Sequence, residues 1–444
     1  MTCSKRESRS SLPRMRPRRL SAALALFAVA VLAPLIATPA VQAQTFTVLH
    51  TFVGFPNDGR FAFGSLIQDS AGNIYGTTER AGKYGGGVIY KLDPAGNETI
   101  IYNFIKNKTG ALTLAGLAMD SAGNFYGTAP FGGDGNCELG TNMCGVVFKV
   151  DPTGKETVLH RFQKPGAGGA LPLGSVVLDS AGNIYGTTQD GGTGKFPGNG
   201  VVFELDPTGK DTVLHSFNGM DGSFPQSGLI RDSAGNLYGT TQDGGGNPLC
   251  SSCGTVFKVD PRGKRTILHA FSSGSDGDGS HPELANLVMD GAGNLYGTTL
   301  TGGDLSCPRG NGGCGVVFKI DTTGEETILY RFHGGTDGAY PYTAVALDSA
   351  GNVYGTASLG GDLTCGLNPV PQGCGVVFKL DANGTETVLY SFRGGADGNQ
   401  PMSLIRDAAG NLYGTTLYGG AFLELCGDHG SPNPGCGVLF KIVP

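Results

Sequence analysis

The chain has 444 residues, of which 77 are glycine and none is tryptophan, and only 15% are charged. The ordinary apolar content allows a buried core, while glycine without a strict triplet period indicates many tight turns and excludes a collagen-like chain. With residues 1–43 set aside, 24 basic and 36 acidic residues give a net charge of −12, which disfavours nucleic acid and anionic membrane surfaces as partners.

Residues 1–43 have the three parts of an export signal. A basic segment runs from Lys5 to Arg19, the apolar segment AALALFAVAVLAPLIA covers 22–37, and VQA at 41–43 fits cleavage before Gln44. The apolar run is short for a bilayer span, so cleavage is favoured over an uncleaved anchor. No later apolar stretch is long enough to cross a membrane, and the C-terminal GVLFKIVP carries no anchor tail. The sequence therefore predicts a secreted or periplasmic protein.

A segment of the form DSAGNxYGT then occurs seven times with small variations. The tyrosine of each YGT lies 51 to 59 residues after the previous one. These tyrosines are Tyr75, Tyr126, Tyr185, Tyr238, Tyr296, Tyr354 and Tyr413. A segment repeated at such a period is first a structural unit and only then a candidate site.

One repeat, residues 227–271, contains four short β-like runs and no helical pattern. The runs are SGLIRDSAG, NLYGTT, GTVFKVD and RTILHAF. Because Ala-Gly-Asn between the first two is turn chemistry, Asp232 is predicted to cap this turn rather than act in catalysis. The glycine after each tyrosine lies inside a strand, where glycine is unfavourable, so either a neighbouring group approaches closely there or the strand bends.

The third run of each repeat carries bulk on both faces. In GVVFKVD (145–151), Val146, Phe148 and Val150 point one way, while Val147 points the other way. A strand that is buried on both faces lies in a sheet packed between two other sheets. Four-stranded sheets stacked in this way around an axis form a β-propeller.

The number of runs predicts how the ring closes. Seven third runs but only six fourth runs follow the first YGT, and an unmatched TVLHTF at 47–52 precedes it. We therefore predict an all-β fold over residues 44–444, a single seven-bladed propeller of four-stranded blades. The N-terminal strand completes the last blade and leaves no open sheet edge. Strict alternation would place Val48, His50 and Phe52 on one face of that strand.

The order DSAGNLYGTT, then GG, then CGVVFK resembles the Gloeo/Verruco (GloVer) tandem repeat of exported bacterial proteins. The resemblance covers essentially the whole chain after the signal segment. It implies bacterial export and a propeller fold, and it implies no activity.

Ten cysteines lie in the loops between second and third strands, and the eleventh, Cys3, lies in the signal segment. They form five local pairs, Cys137/Cys144, Cys250/Cys253, Cys307/Cys314, Cys365/Cys374 and Cys426/Cys436. An even number in an exported chain predicts five disulfides. The alternatives are a zinc site, which would need pairs from different blades to converge, and a redox role for Cys250-Ser-Ser-Cys253, which lacks the strand–helix context.

Propeller geometry places the second-to-third loops and the connections between blades on one face, the loop face. Those connections repeat the pattern DGxxP, beginning at Asp221, Asp278, Asp337 and Asp397. Since binding sites concentrate on loops held by a rigid scaffold, these four aspartates are the ligand-face candidates, and a plain tight turn is the alternative. The segment SDGDGSHPE (275–283) also suggests Ca²⁺, the one cofactor considered, since Asp276, Asp278, Ser280 and Glu283 offer oxygen ligands.

No catalytic residues are assigned, because the chain lacks a nucleophile elbow, a zinc-protease helix and a phosphate-binding loop. His50, His160, His215 and His269 share a fourth-strand position with Tyr102, Tyr330 and Tyr390, which indicates aromatic packing. We expect a monomeric binding or interaction scaffold whose loop face recognises an extracytoplasmic partner, a glycan, another cell-surface polymer or a protein. The alternative is a propeller-type hydrolase or lyase with its site at the central mouth.

Overall fold

The computed structural model describes residues 44–105, 110, 112–133, 144–163, 168–193, 198–247, 250, 252–272, 277–284, 286–308, 312–365, 372–420, 426 and 435–444. Over these residues the regular structure is all β, with seven four-stranded antiparallel blades. The predicted seven-bladed propeller is therefore confirmed. Residues 1–43, where the export signal is predicted, lie outside this part of the chain. Nowhere in the described ranges is a helix long and apolar enough to cross a membrane.

Each blade runs from an inner first strand to an outer fourth strand. The first strands are Ile67–Gln68, Ala118–Met119, Val177–Leu178, Ile230–Arg231, Val288–Met289, Ala346–Leu347 and Asn399–Arg406. The second strands are Ile74–Thr77, Phe125–Ala129, Ile184–Thr188, Leu237–Thr241, Leu295–Thr299, Val353–Ala357 and Leu412–Tyr418. The third strands are Gly85–Leu92, Val146–Val150, Val201–Leu205, Thr255–Val259, Val316–Ile320, Val376–Leu380 and Val438–Val443.

The fourth strands of blades 1 to 6 are Glu98–Ile105, Glu156–Arg161, Asp211–Ser216, Arg265–Ala270, Glu326–Arg331 and Glu386–Ser391. The fourth strand of blade 7 is the N-terminal Thr45–Thr51. Two additional short pairs lie in the loops: Gly59–Arg60 with Arg80–Ala81, and Gly279–Ser280 with Thr301–Gly302.

The N-terminal strand closes the ring as the strand count predicted. It pairs antiparallel with the last strand, with Thr45 opposite Val443. The prediction of strict alternation is wrong, because a β-bulge lies between Val48 and His50. Val48 packs in the core between blades 6 and 7, whereas Phe52 packs in the core that blade 7 shares with blade 1. The bulge thus lets one strand serve both neighbouring cores.

The core lies between blades, where aromatic rings meet. The third strand of each blade contributes one buried ring, and these are Tyr90, Phe148, Phe203, Phe257, Phe318, Phe378 and Phe440. Each ring meets a fourth-strand phenylalanine of the preceding blade, as Phe104 meets Phe148 edge-to-face at 5.0 Å. Such pairs add about 0.5–1.5 kcal/mol beyond the burial of their area. Both faces of the third strand are therefore buried, as its sequence predicted.

The DSAGN segment is a capped hairpin turn. In the fifth copy, Asp290 accepts hydrogen bonds from the backbone N–H groups of Ala292 and Asn294 at 2.9 Å and from the Tyr296 hydroxyl at 3.2 Å. The Tyr–Asp hydrogen bond occurs in all seven copies at 2.9–3.3 Å. Asp232 accepts hydrogen bonds from the backbone N–H and the side-chain amide of Asn236 and from the Tyr238 hydroxyl, so its prediction as a turn cap is confirmed.

The glycine and the threonine of YGT contact different neighbours. A Cβ placed on Gly297 would lie 2.5 Å from Cζ of Phe318 and 2.9 Å from Cδ2 of Leu287, so the predicted crowding is confirmed. The Thr77 and Thr128 hydroxyls donate to the backbone carbonyls of Ala115 and Gly174 in the next blade, both at 2.9 Å. The repeated motif therefore caps a turn, admits an aromatic ring and joins two blades.

Candidate functional site

The four DGxxP aspartates lie between blades. Asp221 approaches Nε2 of His215 at 3.1 Å and Nη2 of Arg265 at 3.2 Å. Asp337 and Asp397 accept hydrogen bonds from tyrosine hydroxyls at 3.2 and 2.9 Å, and Asp278 lies 3.3 Å from a histidine nitrogen. Asp221 thus joins blades 3 and 4, whereas Asp278, Asp337 and Asp397 contact the His or Tyr of the preceding blade. The role of all four as ligand contacts stays a prediction.

Three positions recur at each inter-blade junction. They are the fourth-strand His or Tyr of one blade, the aspartate position of the connection, and, in the next blade, the residue four positions before its own fourth-strand His or Tyr. A dash marks a junction where no aspartate is described at the second position. The seven sets are His50/Asp58/Glu98, Tyr102/–/Glu156, His160/–/Asp211, His215/Asp221/Arg265, His269/Asp278/Glu326, Tyr330/Asp337/Glu386 and Tyr390/Asp397/Phe46. The architecture is constant, but the charge of the junction changes from blade to blade.

The fourth-strand histidines do pack as predicted. The ring of His50 meets Phe52 edge-to-face at 4.9 Å, and His160, His215 and His269 make equivalent contacts. Sequence reasoning missed a second role of His50, His215 and His269, which are partners of a carboxylate in the connection. Burial lowers the pKa of His50, but the hydrogen bond to Asp58 and the charges of Glu98 and Asp58 outweigh it and raise that pKa. Burial and then the Asp58 carboxylate raise the pKa of Glu98 to about 7.

The calcium candidates are divided among different partners. Asp278 faces His269 at the junction, the Ser280 hydroxyl is 2.9 Å from that of Thr301, and Glu283 accepts a hydrogen bond from Gln242 at 2.6 Å. Asp276 lies outside the described residues. Ca²⁺ binding by this loop stays a prediction.

The connections that surround the central mouth are held rigidly on the loop face. The second residue after the glycine of each connection has a left-handed backbone with φ of 55–61°. These residues are Phe61, Leu112, Leu171, Phe224, His281, Tyr340 and Gln400. In blade 4, for example, the N–H of His281 donates to the Cys253 carbonyl, and the His281 carbonyl accepts the N–H of Leu300. These backbone hydrogen bonds on both sides of the residue hold it in a conformation that non-glycine residues rarely adopt.

Two residues further along, each connection presents one side chain at the mouth. In ring order from blade 1 to blade 7 these side chains are Phe63, Leu114, Leu173, Gln226, Glu283, Tyr342 and Met402. Six of them line the cavity at the entrance to the central channel, and the seventh, Glu283, bonds to Tyr342 beside it. We call Met402, Phe63, Leu114 and Leu173, from blades 7 to 3, the apolar arc. We call Gln226, Glu283 and Tyr342, from blades 4 to 6, the polar arc.

The polar arc is a continuous hydrogen-bonded chain. The amide nitrogen of Gln226 donates to Gln242 at 2.7 Å and lies 3.3 Å from the amide oxygen of Gln189. Gln242 donates in turn to Glu283, whose carboxylate also bonds to Tyr342. Five side chains from four successive repeats therefore form one network at the mouth, although each belongs to a different loop.

The acidic groups of the polar arc are partly buried. Burial raises the pKa of Glu283, and the Asp243 charge adds to this effect against the lowering effects of Gln242 and His281. Burial also raises the pKa of Asp243. Burial and then the Glu283 carboxylate raise the pKa of Tyr342 to about 12. The geometry therefore provides hydroxyl, amide and carboxyl groups that exchange hydrogen bonds readily with an uncharged ligand.

Below the mouth the channel is lined mainly with aliphatic and small residues, together with Asn286 and Arg406. A second cavity, about 930 Å³ including open solvent, has Ile230, Val288, Ala346, Ile405 and Arg406 in its wall. Among the described residues that line the two cavities there is no Asp, Glu or His. The described acidic groups of the polar arc therefore lie at the rim, outside the lining of these two cavities.

Four of the five predicted disulfides join described residues. They are Cys250–Cys253, Cys307–Cys314, Cys365–Cys374 and Cys426–Cys436. The second cysteine of these pairs provides a backbone carbonyl that holds a connection, as Cys314 does for Tyr340 at 2.9 Å. Disulfides of this kind are typical of an oxidising compartment.

The fifth predicted pair, Cys137/Cys144, lies only partly within the described residues, and Cys144 is itself disulfide-bonded. The predicted bond from Cys144 to Cys137 is not among the four disulfides above, because Cys137 lies outside the described residues. Cys144 itself is only 2% exposed and packs in the core between blades 2 and 3. Its carbonyl accepts the N–H of Leu171 at 3.1 Å, so Cys144 holds its connection as the other second cysteines do. The pairing of Cys144 with Cys137 stays a prediction.

The model of the Gloeobacter/Verrucomicrobia repeat matches residues 136–368. No curated protein matches the chain. Among solved structures, virginiamycin B lyase from Staphylococcus aureus is similar in fold, with a TM-score of 0.56 and 12% identity over 90% of this chain and 99% of that one. The Niastella koreensis GH74 enzyme has a TM-score of 0.52 and 17% identity, and the match covers 83% of this chain and 52% of that one. At such identities the likeness concerns the fold alone.

Proposed function

The chain belongs to the Gloeobacter/Verrucomicrobia repeat family, and we propose that it is an exported binding protein whose loop-face mouth holds a polyhydroxylated ligand, the end of a glycan chain. The observation that carries this proposal is the division of the mouth into an apolar and a polar arc. In a seven-fold repeat, the seven equivalent mouth positions would be expected to share one residue type if only packing mattered. They instead include six residue types.

A sugar ring suits such a mouth because it has an apolar C–H face and a rim of hydroxyl groups. Phe63 and Tyr342 offer aromatic faces, while Gln226, Gln242 and Glu283 offer planar donors and acceptors. Ligand sites commonly combine an apolar lining with a few well-placed polar groups. The absence of tryptophan leaves stacking to the Phe and Tyr rings.

Independent features support the proposed export. The signal-like residues 1–43 and the four disulfides support function outside the cytoplasm, where a carbohydrate polymer would be met. The rigid backbone around the mouth supports binding as well, because a preformed site loses little conformational entropy when the ligand arrives.

A glycan array with the oxidised chain tests the proposal. Tyr342→Ala and Gln226→Ala should weaken binding to the selected glycan at least about tenfold, since each removes a polar anchor of the mouth. Tyr84→Ala is the matched control, because Tyr84 is an exposed loop tyrosine that is absent from the mouth lining, and it should leave affinity unchanged. The absence of any glycan ligand, or equal effects of Tyr342→Ala and Tyr84→Ala, would show that the mouth does not bind sugars.

A second candidate function, a hydrolase or lyase at the mouth, is favoured by Glu283. Its buried setting and raised pKa are those of a group that can give or take a proton. Incubation with the selected glycan, followed by product analysis, separates the two functions. An enzyme would lose turnover but keep binding in Glu283→Gln, whereas a binding protein yields no product in either form.

A further inference from the structure

Among the described residues, two of the inter-blade junctions bring one imidazole and two carboxylates together. At each, the nitrogen and oxygen ligand atoms all lie within 4.8 Å of one another. Between blades 7 and 1, His50 Nε2 lies 3.2 Å from Asp58 Oδ2 and 3.5 Å from Glu98 Oε2. Between blades 4 and 5, His269 Nε2 lies 3.3 Å from Asp278 Oδ2 and 3.4 Å from Glu326 Oε2.

We propose that these two clusters, His50/Asp58/Glu98 and His269/Asp278/Glu326, each bind a divalent cation of the zinc type. Zn²⁺ takes imidazole nitrogen and carboxylate oxygen in tetrahedral geometry at about 2.0–2.2 Å, which places neighbouring ligand atoms roughly 3.3–3.5 Å apart. The separations at both junctions already fall close to that range. Three protein ligands leave the fourth position for water.

The junction between blades 7 and 1 also has the charge and burial that a cation would match. The side chain of Asp58 is only 3% exposed and that of Glu98 only 15%. Oε1 of Glu98 is buried and has no hydrogen-bond partner. Two carboxylates face one imidazole here, and buried charges need a partner or a metal ion. A bound cation would neutralise the pair and displace any proton from the imidazole.

Two other junctions show how the same positions behave without a metal. Between blades 3 and 4, Arg265 occupies the Glu98 position and neutralises Asp221 directly, at 3.2 Å. Between blades 5 and 6, Tyr330 occupies the His50 position, and its hydroxyl donates to Asp337 at 3.2 Å. The first junction supplies its own cation. At the second, the imidazole beside Asp337 is that of His333, whose Nδ1 lies 3.0 Å from Asp337 Oδ2, but among the described residues no third ligand atom completes a cluster there.

The first site would cross-link the two ends of the ring. His50 belongs to the N-terminal strand that completes blade 7, while Glu98 begins the fourth strand of blade 1. An ion held by both would bind the closed ring and not the open one. It would therefore stabilise the fold by mass action as its concentration rises.

Zinc titration of the untagged, oxidised chain tests the proposal, with stoichiometry from calorimetry and elemental analysis and geometry from Co²⁺ absorption. We expect two ions per chain. His50→Tyr, which copies the junction of Tyr330, and Glu98→Arg, which copies that of Arg265, should each leave one ion, and His50→Tyr with His269→Tyr should leave none. His215→Tyr is the matched control and should still bind two, because Arg265 occupies that junction.

These substitutions place residues that the chain already uses at equivalent positions, so the variants should remain folded. Zinc should raise the Tm of the parent and of His215→Tyr but not that of the double variant. The proposal is wrong if the folded parent binds no stoichiometric Zn²⁺, if the double variant still binds two ions, or if Ca²⁺ binds in place of Zn²⁺ with equal affinity.

Discussion

The hairpin turns and the mouth connections repeat with the same period, yet they differ in how strictly they repeat. Every turn has the Asp–Tyr hydrogen bond, and lysines such as Lys149 and Lys258 lie over the same tyrosines at 5.5 Å. The mouth positions share a backbone conformation but differ in side chain. Positions with the same residue in every repeat are therefore those that the packing of the ring requires. Positions that vary between repeats are those where packing does not restrict the side chain.

Removal of the closing strand should have the largest effect. A chain that begins at Val53 loses the buried Phe52 and the Phe46 ring that stacks on Tyr390 at 3.9 Å. Compared with a chain that begins at Gln44, it should lose on the order of 3–8 kcal/mol of stability and aggregate through its open edge. Thermal and urea unfolding measure the difference.

A rearranged chain is the control, with residues 45–54 placed after Pro444 through a short linker. Because Thr45 lies opposite Val443, the strand can occupy the same place as part of a hairpin, and stability should return close to that of the parent. A truncated chain that melts like the parent would contradict the closure of the ring by this strand.

Gly297→Ala should come next, because it disturbs the uniform part of the molecule. The added methyl would meet Phe318 and Leu287 at 2.5 and 2.9 Å, and overpacking of this kind costs about 1–3 kcal/mol. Gly291→Ala is the matched control, since nothing lies within 4 Å of its Cβ, and it should change stability by less than about 0.5 kcal/mol. Equal effects on urea unfolding would refute the crowding at YGT.

Asp290→Ala should cost about 1–2 kcal/mol, because it removes an acceptor of the Ala292, Asn294 and Tyr296 hydrogen bonds. Asp290→Asn keeps the side-chain oxygen that the turn uses and should recover more than half of that loss. The measurement is the urea concentration at the unfolding midpoint, compared among the two variants and the parent. If both behave like the parent, the turn does not depend on its cap.

Glu386→Gln tests a junction without a histidine through pH. Burial and then the Asp337 carboxylate raise the Glu386 pKa from 4.5 to about 7, so the folded chain retains a proton that the unfolded chain releases. That contribution to stability is complete below pH 4.5 and is lost as the pH rises through 7. The group is half-exposed, so the effect is small: Glu386→Gln should melt about 2 °C above the parent at pH 8.5 and equal it at pH 4.5. A difference that does not depend on pH would rule out this titration.

Gln226→Ala should have the smallest effect on stability, below about 0.5 kcal/mol, although it is expected to weaken ligand binding. Its side chain bonds to other side chains at the rim and packs no blade core. Calorimetric unfolding of the free protein measures this. A loss as large as that of Gly297→Ala would mean that the mouth is part of the packing framework after all.

The sequence by itself determined the architecture, because each repeat encodes local features that need no distant partner. Alternating apolar runs, the Ala-Gly-Asn turns and the surplus TVLHTF strand predicted blade number and closure, and adjacent cysteines predicted the four disulfides that the structure describes. Asp232 and the YGT glycine were interpreted correctly because their partners lie in the same blade.

Only the tertiary structure decided which side chains meet across blades. His50 meets Glu98 because the start of one outer strand lies against the outer strand of the preceding blade. Gln226, Gln242, Glu283 and Tyr342 form one network because consecutive connections return to a common mouth. Strand pairing follows from local sequence patterns. These contacts between blades depend instead on the twist of each sheet and on the rotation between sheets, and neither can be read from the sequence of a single repeat.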